Sequence, residues 1–342
     1  MTKGMWSAVF VLILLFAACG AFMIRLQKDE ENKNIHYFLA TRKINTLISY
    51  KDTALSFSDK AVLKRFALRF YALPELKNNI KRLTVHSYKE KDHIPSFLTF
   101  TATGVSVSLT EIAQNLKNPE EDVIETLAAF DPAQDILNYP LYALLLAGCD
   151  RINADVTGQY VYSPSSGKMM LQTKISDRCL GKWDFRVSLI NISNAQQGQF
   201  LLAFKHFLQK GNPLNDLKNF LKDASVTHLS LSYTEAELIK GYKKYLDSLY
   251  LRLPQAASTT EPDARLIQKI VSYLSISNAH RQRNMDAAQT IAKFIQSPQT
   301  IRFESKEGKQ VALNILEGTF LRQVTDMLLR LDTSVTLEEA EK

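Results

Sequence analysis

The sequence predicts an α+β fold, an antiparallel sheet made of a meander plus later strands and packed with many helices. Three observations carry that expectation. Between Thr157 and Ile192, Met169, Leu171, Thr173 and Ile175 share one phase, and Trp183, Phe185, Val187 and Leu189 alternate with Lys182, Asp184, Arg186 and Ser188, the period of a half-buried sheet. Elsewhere helix starts recur: Asn118-Pro119-Glu120-Glu121, Asp131-Pro132 and Thr234-Glu235-Ala236-Glu237 place caps and N1 prolines ahead of apolar runs. Finally, Val105 to Glu111 and Leu229 to Glu235 echo each other as a strand running into a capped helix, which suggests two related sheet-plus-helix halves.

Residues 1–26 form an N-terminal signal-anchor or signal peptide. Met5 to Ile24 is a run of 20 uncharged residues behind Lys3, the length a helix needs to cross hydrocarbon. A short basic leader orients such a segment with its N-terminus inside and the body outside. Retention gives a single-pass protein of the bacterial inner membrane with its body in the periplasm. Acylation of Cys19 within Phe16-Ala17-Ala18-Cys19-Gly20 gives a lipoprotein, and cleavage near Ala18 to Ala21 gives a soluble periplasmic product.

Residues 27–82 read as a helical stalk or packing region. Asp59 to Leu73 sets Val62, Leu63, Phe66, Phe70 and Tyr71 against Lys60, Lys64, Arg65 and Arg69, a basic amphipathic helix suited to packing on the body or to lying on headgroups. Residues 83–253 are a sheet-plus-helix region around the meander at 157–192. In it a strand over Ser96 to Leu109 changes phase at Gly104, which predicts a bulge. Ser163-Pro164-Ser165-Ser166-Gly167 supplies the first meander turn and Leu180-Gly181 the second. Helices over roughly 119–130, 132–138, 140–147, 199–209 and 214–221 surround it, and Val226 to Tyr233 is a strand. Residues 254–262, PQAASTTEP, are a linker or mobile loop, and 263–342 a helical C-terminal region with short strands.

The chain has 342 residues, 46% of them hydrophobic, and a net charge of +7. In an exported protein that charge points to anionic headgroups rather than nucleic acid. Its 12 glycines are about half the average usage of about 7%, which argues against Gly-rich phosphate loops. Of three cysteines, Cys149 and Cys179 are the pair left in the exported body, and a disulfide is expected in an oxidising space. Two unrelated buried thiols remain the alternative.

No catalytic, metal or cofactor constellation emerges. Nucleophile-elbow, zincin, dinucleotide and Walker patterns are all missing. Ser165-Ser166-Gly167-Lys168 matches Ser-x-x-Lys, yet it falls in a hairpin turn. The six histidines are scattered with no ligand spacing. What is left as a ligand or partner surface is Tyr160, Tyr162 and Trp183 on the sheet. Lys60, Lys64, Arg69, Arg281 and Arg283 are candidate contacts for headgroups or an acidic partner.

Tyr162-Ser163-Pro164 through Gly167, the strand Gly181 to Leu189, Leu229 through Leu238 and Phe294 to Ile301 resemble a group of uncharacterised proteobacterial envelope proteins with one N-terminal hydrophobic segment. The resemblance spans roughly residues 95 to 335 and departs from the group at Thr234-Glu235, where Asp is usual. It implies an envelope location and carries no catalytic residues. The expected function is therefore a membrane-anchored, periplasm-facing, non-enzymatic binding or assembly factor. It is held to the inner membrane through residues 5–24, and its partner is an envelope protein or an apolar ligand. An exported hydrolase with a non-standard site, or a subunit of a secretion or surface-appendage machine, are the alternatives.

Overall fold

The computed structural model describes residues 48–49, 52–56, 60–70, 73–91, 94–110, 140–193, 223–244, 264, 267, 281–297, 299–313 and 327–338. Its strands are β1 (Ile48–Ser49), β2 (Asp52–Ser56), β3 (Lys60–Phe70), β4 (Leu73–Lys91), β5 (Ile94–Ser108), β6 (Arg151–Ser163), β7 (Lys168–Asp177), β8 (Gly181–Ile190), β9 (Ser225–Thr234), β10 (Thr300–Glu304), β11 (Val311–Ala312) and β12 (Ser334–Glu338). All belong to one antiparallel sheet in the order β1-β3-β4-β5-β6-β7-β8-β9-β10-β12, with β2 on β3 and β11 on β9. Among the described residues the helices are α1 (Pro140–Ala147), α2 (238–244) and α3 (Arg281–Gln296), with further helical residues at 327–330.

This corrects the expected fold class. With 55% strand against 23% helix, the described chain is mainly antiparallel sheet rather than α+β packed with many helices. The two echoing strands, β5 and β9, lie in the same sheet, so the expectation of two related halves gives way to one continuous meander. The basic amphipathic helix expected over Asp59 to Leu73 is also overturned: Lys60, Lys64 and Arg69 lie on β3, where Val62 pairs with Thr84 and Lys64 with Arg82. Tertiary hydrogen bonding to β4 overrides a helical spacing of apolar residues that has no nonlocal partner in the sequence.

The transmembrane helix expected at residues 5–24 finds no support. No helix among the described residues is long and apolar enough to cross a membrane, and residues 5–24 and Cys19 lie outside them. So do the helices expected at 119–130, 132–138, 199–209 and 214–221, and the linker at 254–262.

Registry makes the sheet two-faced. Leu83, Ala102, Val156, Ile175, Trp183, Tyr233, Ile301 and Leu337 stand opposite one another in sequence across eight strands, β4 to β10 and β12, forming a continuous apolar row. The adjacent row on the other face is Thr84, Thr101, Thr157, Lys174, Asp184, Ser232, Arg302 and Thr336. Because side chains alternate along each strand, a one-residue slip anywhere would exchange these faces. Cross-strand bonds tie the polar face: Lys174 Nζ lies 2.9 Å from Asp184, Gln172 Nε2 donates to Asp184 at 3.0 Å, and Arg302 lies 2.7 Å from Glu338.

The phase change in β5 is resolved by a bulge. Ala102 and Val105 both point to the apolar face, yet they oppose Val156 and Ala154, so Thr103 and Gly104 stand against Asp155 alone. Gly104 adopts φ 62°, a region glycine enters without Cβ strain. Its amide, lost to the ladder, donates to Asp155 Oδ1 at 2.9 Å.

Helices cover the apolar face at the β8 to β12 end. Leu109, Ala143, Leu144, Leu238, Ile239, Tyr242, Phe294 and Ile295 form one buried cluster with Tyr233 and Ile301, with Trp183, Phe303 and Leu337 packed against it. The eight residues of α1, PLYALLLA, are apolar all round, the composition of a helix buried between layers.

Candidate functional site

Among the described residues two places bring chemistry-bearing side chains together, and both adjoin β9. The first is a junction between α1, α2 and the β7–β8 turn. Asp177 ends β7, and its Oδ1 accepts the amides of Cys179 at 2.7 Å and Leu180 at 2.8 Å, while Oδ2 accepts that of Asn153 at 2.8 Å. One aspartate thereby shapes the turn that carries Cys179, the local hydrogen-bonding use of Asp at loops. On the other side, Gly148 and Cys149 donate to Leu145 and Leu144 in a Schellman closure of α1. The two cysteines meet as a disulfide with Cα atoms 6.0 Å apart. Both are inside the core cluster.

Gly241 locks α2 onto α1. A Cβ at that position would overlap the carbonyl oxygen of Ala143, so the helices approach more closely than any side chain allows. Where a capping box at Thr234-Glu235-Ala236-Glu237 was expected, Glu235 is the capping residue: its Oε1 accepts the Ile239 amide at 2.7 Å and its Oε2 accepts the Tyr233 hydroxyl. Thr234 Oγ1 instead lies 2.7 Å from Thr300 Oγ1 on β10. Burial pushes the Glu235 carboxyl above the usual carboxylate range, against the bonds from Tyr233 and Ile239 that pull it down. Burial, and then the neighbouring Glu235 charge, raise the Tyr233 phenol far above its ordinary value, so this tyrosine is a fixed donor.

Above this pair lies a cavity of about 350 Å³ lined by Glu235, Ala236, Ile239, Lys240, Lys243 and Lys244. Lys243 Nζ donates to Ile295 O at 3.0 Å, in the last turn of α3, and Lys244 Nζ to Leu146 O at 3.3 Å, in the last turn of α1. Both ammonium groups thus sit at helix C-termini, where a cation is favoured. Lys240 pairs with Glu237 at 2.7 Å.

The second place is the end of β10. His228 Nδ1 lies 3.4 Å from Ser305 Oγ, and its Nε2 lies 3.3 Å from Glu304 Oε1. The residue types are those of a hydrolytic triad, but the environment of the serine is structural. Ser305 is 4% exposed, its Oγ accepts the Leu229 amide at 2.8 Å, and its own amide donates to Leu229 O. It stands in for the ladder where β10 stops pairing with β9. No sequence spacing announces this group, since 76 residues separate Leu229 from Ser305.

The other expected site residues fall as follows. Tyr160 is 4% and Tyr162 2% exposed, and Tyr162 Oη donates to Ile192 O at 3.0 Å, so neither is presented at the surface. Trp183 is half-buried, stacked on Tyr233 at 4.1 Å between ring centroids, and its Nε1 donates to Leu180 O at 2.8 Å. Arg281 and Arg283 lie in the first turn of α3, apart from Lys60, Lys64 and Arg69 on β3. Lys240, Lys243 and Lys244 were missed, although the i, i+3, i+4 spacing of three lysines was legible as one cationic helix face. Among the described residues no group of His, Cys, Asp and Glu is arranged to hold a metal ion.

No protein-family model matches the chain, and no curated protein matches it.

Proposed function

We propose that this is an exported bacterial envelope protein that works by binding or assembly rather than by catalysis, its body folded in the periplasm and its partner another envelope protein or an apolar ligand. The observation that supports this best is the disulfide between Cys149 and Cys179. A buried bond of this kind forms and persists where thiols are not kept reduced, outside the cytosol. A sheet of twelve strands, about 43 Å across its ten-strand path at about 4.8 Å per strand, offers a broad polar face on one side. That geometry suits docking better than it suits enclosing a reacting group. The test is fractionation of cells with thiol alkylation before lysis. Blocked cysteines and a periplasm-facing body are expected; two alkylated thiols in the cytosolic fraction would overturn the reading.

The rival reading is an exported hydrolase with a non-standard site: His228, Glu304 and Ser305 are the residue types it would use, while the buried Ser305 Oγ, already accepting the Leu229 amide, argues against it. A fluorophosphonate probe separates the two. Covalent labelling lost in His228→Ala and in Ser305→Ala supports the hydrolase, and no labelling of the folded chain is expected for the binding protein.

A further inference from the structure

We propose that the chain pairs with a second copy of itself through β12, the two sheets joining edge to edge about a two-fold axis at Thr336. β12 ends the sheet path beside β10, and among the described residues no strand lies on its other flank. Alternate amides and carbonyls of such a strand face outward as a template for another strand. Natural edges are commonly blunted by Lys, Pro or a bulge. Ser334-Val335-Thr336-Leu337-Glu338 has none of these and stays in unbroken register with β10 over all five residues. What selects a second copy as the occupant is the pattern of the strand itself. Antiparallel pairing centred on Thr336 sets Val335 opposite Leu337, Ser334 opposite Glu338 and Thr336 opposite Thr336. That register overlaps all five residues and joins apolar face to apolar face, whereas a slip of one residue would set apolar side chains against polar ones. Val335 and Leu337 are already half-buried against the core cluster, so the apolar row that ends at Leu337 continues at Val335 of the other copy. Charge agrees with this pairing. No like charges oppose each other, and the antiparallel direction turns the C-terminal end of each β12, followed in sequence by Glu339 and Glu341, toward the start of the other, where Arg330 and Lys306 are exposed. Five residue pairs fall short of the roughly 1,200 Å² of a standard interface, so the dimer is a weak, concentration-dependent one. The inference goes beyond the proposed function and holds whether or not the body is exported.

The experiment is sedimentation velocity of the full chain in non-ionic detergent across a range of concentrations, and a monomer–dimer equilibrium is expected. Thr336→Glu sets two carboxylates opposite each other at the axis while keeping Arg302, its neighbour on β10, as a favourable one. It should weaken dimerisation about fivefold, the factor that about 1 kcal/mol of cross-strand repulsion gives. Thr336→Lys should weaken it likewise, and an equimolar mixture of the two variants should restore it. An unchanged urea midpoint shows that each variant folds. Independently, Thr336→Cys should give a covalent dimer on oxidation, because directly opposed Cα atoms about 4.5 to 5.5 Å apart lie within reach of a disulfide. A chain that is monomeric at every concentration overturns the proposal, as does a dimer undiminished in Thr336→Glu or not linked through Thr336→Cys. A monomer whose Thr336→Cys links in cells to a different protein also overturns it, and assigns the edge to a foreign strand. None of these readouts depends on the compartment of the body, which fractionation tests separately.

Discussion

Removing the disulfide gives the most quantitative test of how the fold is held. Cys149 and Cys179 are 30 residues apart in sequence, and that loop contains β6, the β6–β7 hairpin and β7. Cross-linking it removes conformations from the unfolded chain, worth about 3.6 kcal/mol at 25 °C for a loop of this length. Both sulfurs are also packed in the core cluster, so Cys149→Ala/Cys179→Ala loses a little dispersion besides, bringing the expected cost to about 4 kcal/mol. For a chain of 342 residues the unfolding entropy of about 2.1 cal/mol/K per residue converts this to a fall in Tm of about 5 to 6 °C. Urea titrations of the two proteins, compared by midpoint and slope, are the assay. A loss below about 1 kcal/mol with an unchanged slope would show that the bond constrains nothing the sheet does not already fix, and the argument from loop closure would be refuted.

Three further outcomes follow from individual side chains. Gly241→Ala sets a methyl against the Ala143 carbonyl, and even after the better helix propensity of alanine is credited it is expected to cost about 2 kcal/mol in urea unfolding; a neutral effect would mean α2 is not pinned to α1. Thr333 Oγ1 is buried with no hydrogen-bond partner, so Thr333→Val is expected to stabilise by up to about 1 kcal/mol, read as a higher urea midpoint. For Glu235, the folded-state pKa is raised from its usual 4.5. As pH rises from that value through the raised one, the folded protein keeps a proton the unfolded chain has released. Stability from this group therefore falls across that window. Glu235→Gln removes the titration and keeps one acceptor oxygen where Glu235 uses two, for the Ile239 amide and the Tyr233 hydroxyl, so its urea midpoint should be lower than that of the parent but vary less between pH 4 and 8, and identical pH profiles would contradict the assignment.

Much of the sheet is legible in local pattern. Strands β6 to β8 and β9 alternate by twos because one face is apolar and the other wet, and the phase change at Gly104 marks a bulge that Asp155 completes. The apolar run Pro140 to Ala147 likewise reads as a buried helix. What misled was spacing without a partner: Val62, Leu63, Phe66 and Phe70 look helical until β4 is there to pair with β3. Sites were harder still. Lys243 and Lys244 acquire their roles only when the ends of α1 and α3 arrive beside α2, and His228 meets Glu304 and Ser305 only because β9 and β10 are neighbours. Tyr160 and Tyr162, legible as sheet residues, went to the buried face, a choice that alternation alone leaves open.

The sequence by itself determined the two-faced strands, their turns and the odd and even cysteines, because backbone alternation and turn chemistry act over a few residues. Only the tertiary structure decided that one sheet takes in every described strand, that Cys149 reaches Cys179, and that three lysines line one hollow with a half-buried glutamate. Those depend on registry between segments tens of residues apart, where burial and ladder hydrogen bonds outweigh any local preference.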